Sequence, residues 1–195
     1  WLAGFLSGAA ALSRPPGVVI FVWLLVEYLL QCGFNWRRVR WNVVALGLAP
    51  LGLASYFAFL QYFNGTPTAA VRAQFTWGLR LEGQWRTIAP FFSDAVKVHG
   101  TVIDLAFTLV FFALVVAITF RLRASYVAYS VAYIIFITMW GSLESVPRYV
   151  LGLFPAIMLL ALLGRDERFH RTYVPISAAL AAFFMAVFAV WGWVA

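Results

Sequence analysis

Two arginines stand at the starts of apolar segments, where a cation could bind an anion beside a membrane. Arg14 lies in the segment SRPPG, and Arg148, followed by Tyr149, lies in ESVPRYVLGLFP. In the second segment the serine and the proline predict the first turn of a helix, whose free N–H groups and dipole attract anions. An arginine there adds a planar fork that can bind phosphate through two hydrogen bonds. The alternative is an interfacial arginine paired with Glu144, four residues away.

The longest polar interruption of the chain, residues 64–100, mixes cations, amides and aromatic rings. Within it, Gln74, Trp77 and Arg80 could bind a sugar or a lipid headgroup, because rings stack on sugar faces and amides hydrogen-bond to hydroxyls. The segment could equally form an amphipathic helix that rests on the bilayer, with Trp77 in the aromatic belt and the arginine touching lipid phosphates. The residue types do not separate these two alternatives.

Two carboxylates, Asp94 and Asp104, are weak candidates for a general base. Asp104 also fits a helix-capping box with Thr101, three residues before it. Asp94 follows Ser93 and fits the first turn of a short helix, where the helix dipole favours a negative charge. The catalytic residue is therefore unknown from the spacing. No cluster of histidine, cysteine and carboxylate residues has the spacing of a metal site, so neither a metal nor another cofactor is predicted.

Composition places these residues in an integral membrane protein. Of the 195 residues, 64% are hydrophobic and 11% are charged, against roughly 25% charged in a soluble domain. The net charge of +7 could suggest nucleic acid as a partner. Most cations, however, lie in short clusters between apolar runs, as in the cytoplasmic loops of membrane proteins, so binding of nucleic acid is not predicted.

The apolar runs predict an all-α, polytopic transmembrane bundle that forms a single domain over residues 1–195. Six full spans are expected, preceded by a partial span at 1–12; the full spans are 15–31, 42–62, 101–120, 125–141, 147–164 and 172–194. Pro50 and Pro155 fall inside two of these spans. They predict local kinks, because each proline frees the carbonyl four residues before it.

The arginine-bearing links define the predicted orientation. Three links carry most of the arginines and fall on one side when the spans alternate, which makes that side cytoplasmic; they are 32–41, 121–124 and 165–171. Residues 64–100 then form an extracytoplasmic loop with short interfacial helices, the first opening at Thr66 and Pro67. Arg14 and Arg148 share this outer face. An arginine there runs against the positive-inside bias, so a binding role for Arg14 and a topological anchor stand as equal alternatives.

Three segments, GFLSGAAALSRPPGVV, FNGTPTAAVRAQFTWG and SVPRYVLGLFPAIMLLA, resemble the PIG-V-type mannosyltransferase family and its bacterial relatives, which belong to the GT-C class of multispanning glycosyltransferases. The resemblance implies transfer of a sugar, often mannose, from a polyprenyl-phosphate donor to an acceptor on the extracytoplasmic or lumenal face. It implies that Arg14 matches the family's Arg-x-x-Gly corner and that Arg148 with Tyr149 matches its late Arg-Tyr pair. Both would contact the donor phosphate or headgroup. Thr66 stands where the family commonly has aspartate.

One departure from the family pattern is the absence of a Trp-Asp pair, the usual context of the key aspartate. We expect that aspartate upstream of Trp1, in a longer enzyme of which these residues form the C-terminal portion, with membrane lipids around it. A transporter or flippase component for a lipid-linked or anionic solute is the main alternative. It predicts charged residues at mid-span and helices broken near the bilayer centre. A non-catalytic membrane subunit is the third possibility.

Overall fold

The computed structural model describes residues 1–76, 102–139, 143 and 146–191. Every regular element in these ranges is helical, which confirms the all-α prediction for them. The α-helices are α1 (Leu2–Ser13), α2 (Ile20–Gln31), α3 (Leu48–Asn64), α4 (Ala69–Thr76), α5 (Val102–Arg121), α6 (Ala124–Thr138), α7 (Val146–Tyr149), α8 (Phe154–Leu163) and α9 (Glu167–Ala189). Short 3-10 helices cover Pro15–Val19, Trp36–Arg38, Trp41–Gly47 and Val150–Gly152.

Three helical segments within the described ranges are long and apolar enough to cross a membrane. They are Trp41–Asn64, Ile103–Arg121 and Glu167–Ala189, and they correspond to the predicted spans 42–62, 101–120 and 172–194. Other apolar helices, α1, Pro15–Gln31 and α6, are shorter. The prediction of six full spans therefore stays a prediction.

The last helix begins five residues before the predicted start of its span. Asp166 caps it, because one carboxylate oxygen accepts hydrogen bonds from the backbone N–H groups of Arg168 (2.8 Å) and Phe169 (3.1 Å). Most of the segment 165–171, which we predicted as a loop, is thus the first turns of α9. Its arginines are compatible with a helix, since Arg171 pairs with Glu167 one turn before it.

The predicted span 147–164 is broken rather than kinked. Val146–Gly152 and α8 meet at 80°, with Leu153 at the break (φ −80°, ψ 65°). Pro155 opens α8 instead of bending a continuous helix, because its missing N–H costs nothing in a first turn. Pro50 likewise lies in the first turn of α3, directly after the 3-10 helix Trp41–Gly47, so it does not interrupt the interior of an α-helix.

Glycines allow α1 and α3 to pack with their backbones in contact. A Cβ atom added at Gly8 would lie 2.9 Å from the carbonyl oxygen of Leu48, and one added at Gly52 would lie 2.6 Å from the carbonyl oxygen of Gly8. Gly4 and Gly8 form a GxxxG motif on α1. In lipid, such small residues let two helices gain van der Waals contact that longer side chains would prevent.

The main core lies between α2, α5, α6, α7 and α8. Its buried side chains come from all of these helices or their flanking turns, for example Val19, Ile118, Ile134, Val146 and Leu159. By contrast, α9 has no buried residue. The ring of Phe184 contacts that of Phe107 on α5, with centroids 6.0 Å apart. Most of the surface of α9 is thus exposed.

Candidate functional site

Polar contacts between α2 and α6 fix which helix ends lie together. Ser125 Oγ, in the first turn of α6, donates a 2.6 Å hydrogen bond to Glu27 Oε2 near the end of α2. Arg123 Nη1 lies 3.6 Å from Glu27 Oε1. The 3-10 helix Pro15–Val19, just before α2, also packs against α6, so the two helices run antiparallel and the start of α2 lies toward the end of α6. We call this end of the bundle the Arg14 end.

Arg14 occupies a tight corner between α1 and the helix that follows. Its backbone is extended (φ −152°, ψ 140°), as the proline after it requires. The carbonyl of Arg14 accepts a 2.8 Å hydrogen bond from the N–H of Gly17. A side chain at Gly17 would overlap the carbonyl of Ala10, so only glycine permits a corner this close. The guanidinium of Arg14 is left exposed.

Arg148 lies on a short, well-anchored turn. The helix α7 has four residues and continues into the 3-10 helix Val150–Gly152. Val146 and Val150, on either side of Arg148, are each 1% exposed and hold the turn in the core. The Arg148 side chain is exposed, and its Cζ lies 5.3 Å from the centroid of the Tyr149 ring, within cation–π range. With four residues, α7 is much shorter than the helix over 147–164 that we predicted to begin here.

Two tyrosine hydroxyls from α6 hold the broken helix in place. Tyr133 donates to the carbonyl of Tyr149 at 2.8 Å, and Tyr129 donates to the carbonyl of Gly152 at 2.8 Å. Both tyrosines are buried, 5% and 3% exposed. Each carbonyl lies near the 80° bend, where regular helical hydrogen bonding ends. We call this pair of bonds the tyrosine latch. In the predicted span 147–164 it would supply donors that a membrane interior does not contain.

Helix α6 connects the two arginine corners. Its Tyr133 hydroxyl donates to the carbonyl of Tyr149, the residue next to Arg148. The 3-10 helix after Arg14 packs against α6, and α6 packs against α7. The structure thus brings Arg14 and the Arg148–Tyr149 turn to the same end of the bundle.

The charges at the Arg14 end favour an anionic ligand. Neither Arg14 nor Arg148 forms an ion pair with any described carboxylate. Two exposed guanidinium groups present planar arrays of N–H donors, which match the oxygen geometry of phosphate. The arrangement can therefore bind a phosphate and stabilise negative charge that develops on it.

The candidate bases and headgroup residues are placed as follows. Asp104 lies in the first turn of α5 and is 5% exposed; the short link between α5 and α6 puts this turn at the Arg14 end. Gln74 is exposed on α4, which packs against α3. The short helix predicted from Thr66 is present but begins at Ala69. The remaining candidates, Trp77, Arg80 and Asp94, lie outside the described residues. Thr101, Glu144 and Ser145 also lie outside them.

Sequence reasoning missed Tyr129, Tyr133 and Gly152. The signal was available in part, because Tyr129 and Tyr133 are four residues apart and share one face of a helix. Their partners are backbone carbonyls on the segment between Pro147 and Pro155. No sequence pattern predicts which carbonyl on another helix a tyrosine hydroxyl will bond to.

Comparisons with protein-family models, with curated proteins and with solved structures gave no match.

Proposed function

We propose that these residues belong to an integral-membrane glycosyltransferase that moves a sugar from a polyprenyl-phosphate donor to an acceptor on the extracytoplasmic or lumenal face. The observation that carries the proposal is that Arg14 and Arg148–Tyr149 lie at the same end of the bundle. Mannose as the sugar rests on the family resemblance. The proposal makes the Arg14 end the donor-binding end.

In this reaction the bond between the sugar and the phosphate breaks, and the phosphate leaves with an additional negative charge. Arg14 and Arg148 would bind that phosphate and stabilise the charge as it develops. An acceptor hydroxyl attacks the sugar, and a carboxylate removes its proton. Of the described carboxylates, Asp104 lies at the Arg14 end and Glu27 lies at the opposite end, bonded to Ser125. The described residues do not assign the base.

The experiment measures sugar transfer by the complete protein in proteoliposomes supplied with polyprenyl-phosphate mannose. Arg148→Ala should lower transfer tenfold or more, because one lost contact between arginine and phosphate removes about 1.5–3 kcal/mol. Arg165→Ala is the matched control, since Arg165 is an exposed arginine on the predicted cytoplasmic side. Equal transfer by the wild type and by a correctly inserted Arg148→Ala variant would refute the proposal.

One observation favours a second function, transport of a lipid-linked or anionic solute. Discontinuous helices are typical of transporters, in which the broken ends line a substrate path, and Val146–Gly152 and α8 form such a pair. The same proteoliposomes distinguish the two functions. A transporter would move a labelled polyprenyl-phosphate sugar across the bilayer without an acceptor and without cleaving the sugar from the phosphate.

A further inference from the structure

The link between α2 and α3, on the predicted cytoplasmic side, is a firmly hydrogen-bonded loop. The N–H of Phe34 donates to the carbonyl of Leu29, and the N–H of Gly33 donates to that of Leu30, both at 3.0 Å. With Gly33 in the left-handed region (φ 60°), this is a Schellman motif that closes the end of α2.

Side chains fix the rest of the same loop. The Asn35 side chain accepts a 3.0 Å hydrogen bond from the N–H of Arg37. The Tyr28 hydroxyl accepts a 2.9 Å bond from the N–H of Arg40 and lies 3.1 Å from Asn42 Oδ1, to which it donates. Both ends of the loop are thereby tied to α2. Its exposed side chains project from a fixed backbone.

This loop encloses a shallow cavity of about 190 Å³. Its lining is mostly apolar and consists of Leu29, Cys32, Phe34, Asn35, Trp36 and Val39. Arg38 lies at the edge, since its Nη1 would be 4.0 Å from a Cβ atom added at Gly33. Trp36 and Trp41 are 81% and 89% exposed. Apolar volume, the exposed ring of Trp36 and a cation therefore adjoin one another, at the predicted membrane boundary.

The charge around the cavity is positive. Arg37, Arg38 and Arg40 are all exposed, and none of them forms an ion pair with a described carboxylate. The nearby carboxylate of Glu27 is engaged by Ser125, Gln31 and Arg123. The arginines of the loop are thus available to an external anion.

We propose that this loop binds one anionic phospholipid, with the phosphate on Arg37 and Arg38 and the first methylenes of an acyl chain in the cavity. A phospholipid combines both features of the site, an anion and an apolar chain, at the depth where interfacial tryptophans lie. A free phosphate ion would use the arginines and leave the apolar cavity unfilled. The site lies at the opposite end of the bundle from Arg14 and does not depend on the proposed function.

The experiment is native mass spectrometry of the complete protein, purified in detergent and titrated with phosphatidylglycerol or with phosphatidylcholine of the same acyl chains. We expect one phosphatidylglycerol to be retained in preference to phosphatidylcholine. The variant Arg37→Gln/Arg38→Gln should weaken its retention about tenfold or more, since two charge-assisted contacts are lost. Arg165→Gln/Arg168→Gln is the matched control. It removes two exposed arginines from the predicted cytoplasmic side that do not line the cavity.

Glycerol phosphate, added as a soluble headgroup, distinguishes a lipid site from a simple anion site. It should not displace phosphatidylglycerol at equal concentration, because it cannot occupy the apolar cavity. Equal retention of the two lipids, unchanged retention by Arg37→Gln/Arg38→Gln, an equal loss in the control variant, or full displacement by glycerol phosphate would each overturn the proposal.

Discussion

The tyrosine latch predicts strong coupling between Gly152 and Tyr133. A Cβ atom at Gly152 would overlap the Tyr133 hydroxyl, which donates to the carbonyl of Tyr149 at 2.8 Å. Gly152→Ala therefore pushes the hydroxyl away, and Tyr133→Phe removes it. Both variants lose the same hydrogen bond. Because a buried acceptor without its donor costs about 1–3 kcal/mol, each single variant should lose that much free energy of unfolding.

The double variant should lose about as much as one single variant. In the double variant Tyr133 has no hydroxyl, so the methyl group of the new alanine at position 152 displaces less. The hydrogen bond to the Tyr149 carbonyl is lost only once. The expected coupling energy in a double-mutant cycle is about 1 kcal/mol or more. The free energy of unfolding can be measured for the complete protein in mixed micelles, by titration with a denaturing detergent and detection of helix content by circular dichroism.

Ser130→Ala provides the matched control on the same helix. Ser130 Oγ donates to the carbonyl of Tyr126 at 2.7 Å, so its hydrogen bond lies within α6 and does not involve the segment of Gly152. Its cost should add to that of Gly152→Ala within about 0.5 kcal/mol. If the costs of Gly152→Ala and Tyr133→Phe also added within this margin, the inferred contact between the two side chains would be wrong.

Two further predictions concern other helix contacts. Gly8→Leu should destabilise the protein by about 1–3 kcal/mol in the same unfolding assay, because its side chain would separate α1 from α3. The control Gly47→Ala, with no atom within 4 Å of the added Cβ, should lose no free energy of unfolding. Equal losses in the two variants would contradict the packing of α1 on α3. Ser125→Ala should cost about 1.5 kcal/mol of free energy of unfolding, the low end for a hydrogen bond to a charged group, because Glu27 is 21% exposed. Arg123→Gln should cost less than about 1 kcal/mol. A larger cost for Arg123→Gln than for Ser125→Ala would contradict Ser125 as the stronger partner of Glu27.

Hydropathy predicted the helical class and the extent of the long helices because those depend on local composition. The segments 42–62 and 101–120 were located within about two residues of Trp41–Asn64 and Ile103–Arg121. The start of α9 was predicted too late, since a cluster of arginines was interpreted as a loop. The sequence Asp166–Glu167 was the better signal, with an N-cap followed by an acid in the first turn.

The candidate site was predictable in its residues but not in its construction. Arg14 and Arg148 were selected because each follows a serine and adjoins proline at the start of an apolar segment. The size of the bend at Leu153 depends on carbonyls that Tyr129 and Tyr133 satisfy from another helix. Such contacts arise only when α6 and α7 pack together, so no local pattern specifies them.

The tyrosine latch also bears on the order in which the predicted spans would enter the membrane. A ribosome delivers α6 before the segment Val146–Leu163, so both hydroxyls are already present when the later segment arrives. If the later segment spans the membrane as predicted, the carbonyls of Tyr149 and Gly152 would otherwise enter lipid without these donors, which is costly. We therefore expect α6 to act as an intramolecular template during biosynthesis, and the segment after it to insert poorly when it is expressed alone.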